Sequence, residues 1–324
     1  MRVAIVGCGW IGGVHSRALR GLIRGGLVDA EVVATCDNDP DRAVAFARAH
    51  GAGVATTDPA RAMAEADAVW ICTPTSSHRA LVEHAATAGL AIYCEKPLAP
   101  SMGDVTAMTE SVTTAGVPAQ VGLVMRAEAP IVALRSLVAD ERGVGRPMAA
   151  VYRDDQYFPI QGRYASKWRA DLATAGGGTL IEHSIHDIDV LAWVLGPVQE
   201  VSCRTANFAG HEGVEDVAVC TFIHASGVTS PLVSVWHEVM TRPSLRRIEV
   251  FCEQALLWLD DDGEGPVHVE TSGGSREVPA STAGAWASRL DVPDAYRVAL
   301  APYAAADRAF LEAVGAGRAP DPGF

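Results

Sequence analysis

The chain has 324 residues, 49% of them hydrophobic and 20% charged, with a net charge of −13 at pH 7, which leaves room for two domains around sizeable cores. That acidic balance, with no cluster of Lys and Arg to meet phosphates, excludes a nucleic-acid partner from the expectations. No apolar run approaches the ~20 residues of a membrane span and no basic-then-apolar leader opens the chain; the seven cysteines form no CxxC pair, so the expected setting is cytoplasmic, away from membranes, with thiols reduced.

Residues 1–122 alternate short apolar runs with helical stretches. Strands are expected at Arg2–Val6, Glu31–Cys36, Asp67–Cys72, Leu90–Cys94 and Pro118–Leu123. Helices are expected between them at Ile11–Arg24, Pro40–His50, Ser77–Ala88 and Met102–Ala115, the last two stopped by Gly89 and Gly116. Such alternation predicts an α/β domain with a parallel sheet covered on both faces. From 123 to 324 the pattern changes. A helix at Pro130–Ala139 precedes strand-like runs at Ala149–Phe158, Val198–Asn207, Asp216–His224, Leu232–His237, Arg246–Cys252, Ala255–Asp260 and Val267–Thr271. Turn residues join most of them, such as Ala225-Ser226-Gly227, Asp261-Asp262-Gly263 and Gly273-Gly274. This predicts a second, α+β domain over 123–324 with an open-faced, mainly antiparallel sheet, interrupted by one helix at Gly178–Leu195. A final helix is expected at Ala301–Val314.

Four motifs carry chemistry. Gly7, Gly9 and Gly12 follow a strand and open a helix. In that setting the first glycine allows a tight turn, the second lets the backbone approach a pyrophosphate, and the third lets helix and strand pack closely. Asp37 ends the second strand, 25 residues beyond Gly12, where a carboxylate accepts hydrogen bonds from a ribose diol and repels a 2′-phosphate. The expected cofactor is therefore NAD in preference to NADP, with Trp10, Ile11 and Asn38 beside the seat. Thr73, Pro74 and His78 follow the Asp67–Cys72 strand, at the sheet edge where such folds bind ligands. Glu95-Lys96-Pro97 follows the next strand, and the Lys96 ammonium is suited to hydrogen-bond a substrate hydroxyl. These residues, Glu95 and Lys96 included, complete the expected cofactor contacts.

The fourth motif is GGGTLIEHSIHDIDVLAWVLG, residues 176–196. Read as one helix, it buries Ile181, Ile185, Ile188, Ala192 and Leu195 and lines Glu182, His186 and Asp189 along the adjacent face. An imidazole there is a natural proton acceptor for an alcohol losing hydride, with a carboxylate to orient it. No metal site is expected: His183 and His186 stand three apart and Glu182 precedes both, unlike the HExxH spacing.

With these motifs in this order, the sequence resembles the Gfo/Idh/MocA family of glucose–fructose oxidoreductases and inositol 2-dehydrogenases over nearly its whole length. The resemblance implies a Rossmann domain followed by an open-faced sheet domain, and hydride transfer between NAD(H) and a secondary hydroxyl or ketone of a sugar, cyclitol or related polyol. It places the family's catalytic pair on Glu182 and His186, with Glu where the family usually has Asp, and its catalytic lysine on Lys96. Substrate contacts are then expected from Lys96, Arg126, Tyr157, Trp168, Glu182 and His186, with Arg153, Asp154, Asp155, Arg163, Lys167 and Arg169 as further candidates. It also implies a homodimer or homotetramer built through the C-terminal sheet. Two alternatives stay open: an NAD-dependent glycosidase acting by transient oxidation, and a non-catalytic regulator sensing NAD or a sugar.

Overall fold

In the computed structural model, strands Arg2–Val6 (β1), Glu31–Cys36 (β2), Val54–Thr56 (β3), Ala68–Ile71 (β4), Ala91–Cys94 (β5) and Ala119–Val121 (β6) form a parallel sheet in the order β3-β2-β1-β4-β5-β6. The structure describes residues 1–162, 164–242, 244–260, 265–279 and 286–324, and every count here is of those residues. Helices Trp10–Arg24 (α1), Pro40–His50 (α2), Pro59–Met63 (α3), His78–Thr87 (α4) and Met102–Ala115 (α5) connect the strands. β4 and β5 are buried at every position, as strands covered on both faces must be, and so they read as unbroken apolar runs. The helix ends follow from local chemistry. The Asp39 carboxylate caps α2 ahead of Pro40, and Ser101 caps α5. Gly51 and Gly116, at φ +72° and +66°, end them in the left-handed region. β3 and α3 were not foreseen; three and five residues are too few to show a period.

The chain divides into two units, Met1–Val124 with Ala283–Phe324, and Met125–Thr282. A C-terminal helix, Asp294–Gly315, belongs to the first, although the sequence reading places that segment in the second domain. Its Ala306, Phe310 and Leu311 are buried with Val3, Ile5, Trp70 and Tyr93, and Ala304 packs with Ala18 and Leu22 of α1. The helix starts seven residues before the expected Ala301, because Pro302 sits inside it and a proline reads as a helix start.

The second unit contains helices Ala129–Ala139 (α6), Glu141–Val144 (α7), Leu172–Ala175 (α8), Thr179–Glu182 (α9) and Ile185–Leu195 (α10). Its strands are Pro147–Tyr157 (β7), Val198–Ala206 (β8), Val217–His224 (β9), Thr229–His237 (β10), Leu245–Cys252 (β11), Ala255–Leu259 (β12), Val267–Thr271 (β13) and Gly274–Val278 (β14). They form one sheet in the order β14-β13-β12-β11-β7-β10-β9-β8. Its pairs are antiparallel except β7 with β10. Ile131, Leu134 and Val138 of α6 and Val190, Leu191 and Leu195 of α10 share a core with the inward residues of the sheet. The opposite face leaves Val151, Val219, Ile223 and Phe251 exposed. β14 was not foreseen, and the Asp261-Asp262-Gly263 turn and Arg163 lie outside the described residues. Among those residues no helix is long and apolar enough to cross a membrane.

The single helix expected over Gly178–Leu195 is two helices with a break at His183 and Ser184. Polar side chains outbid the helical ladder there. The Ser184 hydroxyl donates to Asp154 Oδ2 at 3.0 Å and meets Ser234 Oγ at 2.6 Å, while Gly178 N and Leu180 N donate to the Glu215 carboxylate. The break turns the faces. Glu182, Ser184, Asp187, Val190, Leu191 and Leu195 are buried, whereas Ile181, Ile185, Ile188 and Ala192 are only half-buried.

Candidate functional site

In the first unit the register places Val6, Cys36, Ile71 and Cys94 side by side at the carboxyl ends of β1, β2, β4 and β5, so the segments that follow these strands meet along one edge. Gly7 has φ +98°, and a Cβ on it would lie 2.6 Å from the Cys72 carbonyl. A Cβ on Gly12 would lie 2.0 Å from Gly7 O, whereas one on Gly9 would meet nothing within 4 Å. Two glycines are thus demanded by close packing, and the third leaves open backbone at the start of α1, where no side chain caps the first turn. That is a cradle fitting a pyrophosphate. Trp10 is exposed and Ile11 half-buried beside it. Asp37 is 8% exposed; its Oδ2 accepts from Cys8 N at 2.8 Å and its Oδ1 from Asp39 N at 2.9 Å. Arg42, half-exposed, reaches Asp37 at 3.0 Å and donates to Asn38 Oδ1 at 3.3 Å. Burial, then Asp37, pushes the Cys8 thiol up to about 12.

Thr73 is half-buried, Pro74 exposed, and Lys96 half-buried. His78 turns inward. It is 1% exposed, with Nδ1 2.9 Å from Pro97 O and Nε2 2.9 Å from Thr73 O, and burial lowers its pKa. Its ring ties the Thr73 and Lys96 segments together rather than facing a ligand, so it does not serve as the direct cofactor contact expected from the sequence.

Glu95 also turns inward, to a group the sequence reading missed. His15, fully buried on α1, donates from Nε2 to Glu95 Oε1 at 2.9 Å and from Nδ1 to Asp307 Oδ1 at 2.7 Å. Trp70 Nε1 also donates to Asp307 Oδ1, at 2.9 Å. Burial alone would strip the His15 proton, but Asp307 and Glu95 more than offset this and raise its pKa to about 10. The signal for this pair was present: both residues occupy buried helix positions among Val14, Ala18 and Leu19, and among Ala306 and Phe310.

In the second unit His186 is half-buried in the first turn of α10. Glu182, 2% exposed at the end of α9, accepts from Arg169 Nε at 3.3 Å, and the Arg169 guanidinium lies 4.4 Å over the Trp168 ring. Arg126 forks onto Asp189 at 2.8 and 2.6 Å, so the two side chains expected to face substrate and the catalytic face bond each other. Tyr157 is half-buried and tilts against Tyr164. Arg153 is exposed and 3.5 Å from Asp155, which also pairs with Arg242 and His237. Lys167 is exposed.

The residue after His186, Asp187, belongs to a buried polar group. Asp187 and Asp154 are both fully buried, Arg246 donates to Asp187 Oδ1 at 2.9 Å, and His183 Nε2 lies 3.1 Å from Asp154 Oδ1. Burial, then the neighbouring Asp154, raises the Asp187 pKa to about 7. Among the described residues no cluster could hold a metal ion.

Comparison with known proteins fits these features. Residues 1–123 match the family model described as an oxidoreductase family with an NAD-binding Rossmann fold, and residues 131–257 match the GFO/IDH/MocA C-terminal domain. The chain is 34% identical over 197 residues to an inositol 2-dehydrogenase of Rhizobium meliloti, covering 60% of this chain and 55% of that one. It is 32% identical over 217 residues to a 1,5-anhydro-D-fructose reductase of Ensifer adhaerens, covering 65% of this chain and 62% of that one. The chain therefore spans little more than half the length of these curated relatives. A levoglucosan dehydrogenase solved with NADH and levoglucosan shares the fold, with TM-score 0.87 and 21% identity over 100% of this chain and 92% of the other. With both family models matched in order over most of its length, the chain belongs to the Gfo/Idh/MocA oxidoreductase family.

Proposed function

We propose that the chain is a dehydrogenase that oxidises a secondary hydroxyl of a sugar, cyclitol or related polyol, or reduces the matching ketone, with NAD(H). The observation that carries this reading is the glycine cradle, open at Gly9 and followed by the Asp37 carboxylate at the end of β2. A nicotinamide dinucleotide bound there supplies the hydride acceptor or donor. Gly7, Gly9 and Gly12 receive the pyrophosphate, and Asp37 receives the ribose diol, which favours NAD over NADP. The His186 imidazole is suited to take a hydroxyl proton, and the Lys96 ammonium to hydrogen-bond a substrate oxygen as negative charge develops. Glu182, held by Arg169, orients the reacting group. The relatives named as inositol, anhydrofructose and levoglucosan enzymes support a polyol as substrate. The exposed Val151, Val219, Ile223 and Phe251 on one sheet face support self-association there.

The test is a panel of sugars, cyclitols and their ketones, following NADH. Lys96→Ala and His186→Ala should each lower kcat by about 10²–10⁴-fold with NADH affinity retained. Glu182→Gln should lower kcat less, with little change in thermal stability. Near-normal turnover in both alanine variants would overturn the assignment.

A further inference from the structure

The first unit holds a buried set of charged side chains, one of which, Glu95, directly precedes Lys96 in the chain. His15 bridges two carboxylates contributed by distant segments: Asp307 on the C-terminal helix and Glu95 directly after β5. Asp307 and His15 are fully buried and Glu95 is 5% exposed. Such a set is weak as a source of stability, because taking three charges out of water costs about as much as their attraction returns. Asp307 Oδ2 is itself buried with no hydrogen-bond partner, which adds to that cost. What the arrangement does achieve is confinement of Glu95. Its Oε1 accepts from His15 Nε2 at 2.9 Å, and its Oε2 accepts from the Lys96 backbone N at 3.3 Å. Gly122 closes the remaining side, since a Cβ there would lie 2.5 Å from Glu95 Oε1, and Gly122 N donates to Cys94 O at 2.8 Å. The carboxylate cannot rotate without leaving either His15 or the Lys96 amide.

We propose that His15, anchored by Asp307, is a positioning residue that locks Glu95 and thereby fixes the Glu95–Lys96 peptide and the direction in which the Lys96 side chain leaves it. The inference rests on the reading above in which Lys96 acts on the substrate hydroxyl. His15 touches no reacting atom; it acts through Glu95. Because it lies on α1, three residues after Gly12, the same helix that begins at the glycine cradle also sets the catalytic ammonium. Catalysis tolerates little displacement of such a group, so loosening Glu95 reduces turnover without touching the cradle.

The composition offers a clean probe, because Lys96 and Lys167 are the only lysines in the chain. Isotope-labelled reductive methylation labels these two and the Met1 α-amine, with Lys167→Arg and Lys96→Arg assigning the two lysine resonances, and this readout needs no substrate. The full chain is compared with His15→Gln, which keeps a neutral donor but cannot span both carboxylates. The expected result is a shifted or split Lys96 resonance, an unmoved Lys167 resonance, and kcat per titrated NADH site lowered at least about tenfold with NADH affinity unchanged. An unmoved Lys96 resonance overturns the proposal, whatever happens to kcat, and so does unchanged kcat per site. A merely structural role would lower the number of NADH sites and leave kcat per site intact. If His15→Gln does not fold, Asp307→Asn is read in the same way. If the parent turns over no polyol, the proposed function fails, and the resonance alone decides whether His15 positions Lys96.

Discussion

His15 in the first unit and Asp187 in the second are both fully buried, yet they hold their protons over different ranges. His15 is an imidazole between two carboxylates, so its charged form is favoured and its pKa rises to about 10. Asp187 is a carboxyl whose nearest acid is Asp154, with one Arg246 shared between them, so its neutral form is favoured and its pKa rises to about 7. Burial opposes charge in both places; the count of opposite against like neighbours decides which form survives. The first unit keeps a fixed ion across the physiological range, whereas the second holds a group that titrates near neutrality, one residue from His186.

The largest test of that contrast is stability against pH in the first unit. A group whose folded pKa lies above its unfolded value stabilises the fold below the unfolded pKa and loses that contribution as pH rises through the folded one. For His15 the window runs from 6.5 to about 10. Glu95, Asp307, Tyr93, Tyr303 and Cys72 surround it, and the tyrosine and thiol among them with resolved shifts stay neutral because burial raises both. The denaturation midpoint of the parent should therefore fall across that window, and His15→Gln should lack the fall; an equal fall in both would break the comparison.

Asp187 gives the matching experiment in the second unit. Its folded pKa is also above its unfolded value, so its contribution is present below 3.8 and lost as pH rises through about 7, on the order of 4 kcal/mol. Asp154, Arg246, His183 and Tyr152 face it. Asp187→Asn should remove this decline between pH 4 and 7 while leaving the His15 window intact. Persistence of the decline would overturn the assignment to Asp187.

A smaller effect separates structural from functional charge in the second unit. The Arg126–Asp189 fork is partly buried, and Arg126→Ala should cost about 1.5–3 kcal/mol in urea unfolding. If Arg126 serves only Asp189, the KM for polyol stays unchanged; a raised KM with unchanged stability would return it to the substrate. The smallest effect on stability belongs to Arg42, whose pair with Asp37 is half-exposed. Arg42→Ala should cost at most about 1 kcal/mol, yet by baring the Asp37 carboxylate it should weaken NADP binding more than NAD binding in a fluorescence titration.

Much of the first unit was legible because its signals are local. The turn glycines, the helix stops at Gly89 and Gly116 and the strand-end residues Asp37 and Lys96 each depend on a few neighbours along the chain. The second unit was legible as a sheet, since β9 alternates buried and exposed positions throughout. Its candidate site was less so. The Gly178–Leu195 stretch has a fair helical period, but Ser184 bonds to Asp154 and Ser234 from other strands, and no local rule anticipates partners 30 and 50 residues away.

The sequence by itself determined most of the longer elements, the parallel and antiparallel sheets, the glycine turn and the order of the motifs, because apolar period, turn chemistry and capping act within a few residues. Only the tertiary structure decided that the C-terminal helix returns to the first unit and that Asp307 meets His15 across 292 positions. It alone turned His78 and Glu95 inward and gave Arg126 to Asp189. The physical reason is common to all of these: a buried polar group must find a partner, and which partner is within reach depends on where the chain has folded, not on what stands beside it in the sequence.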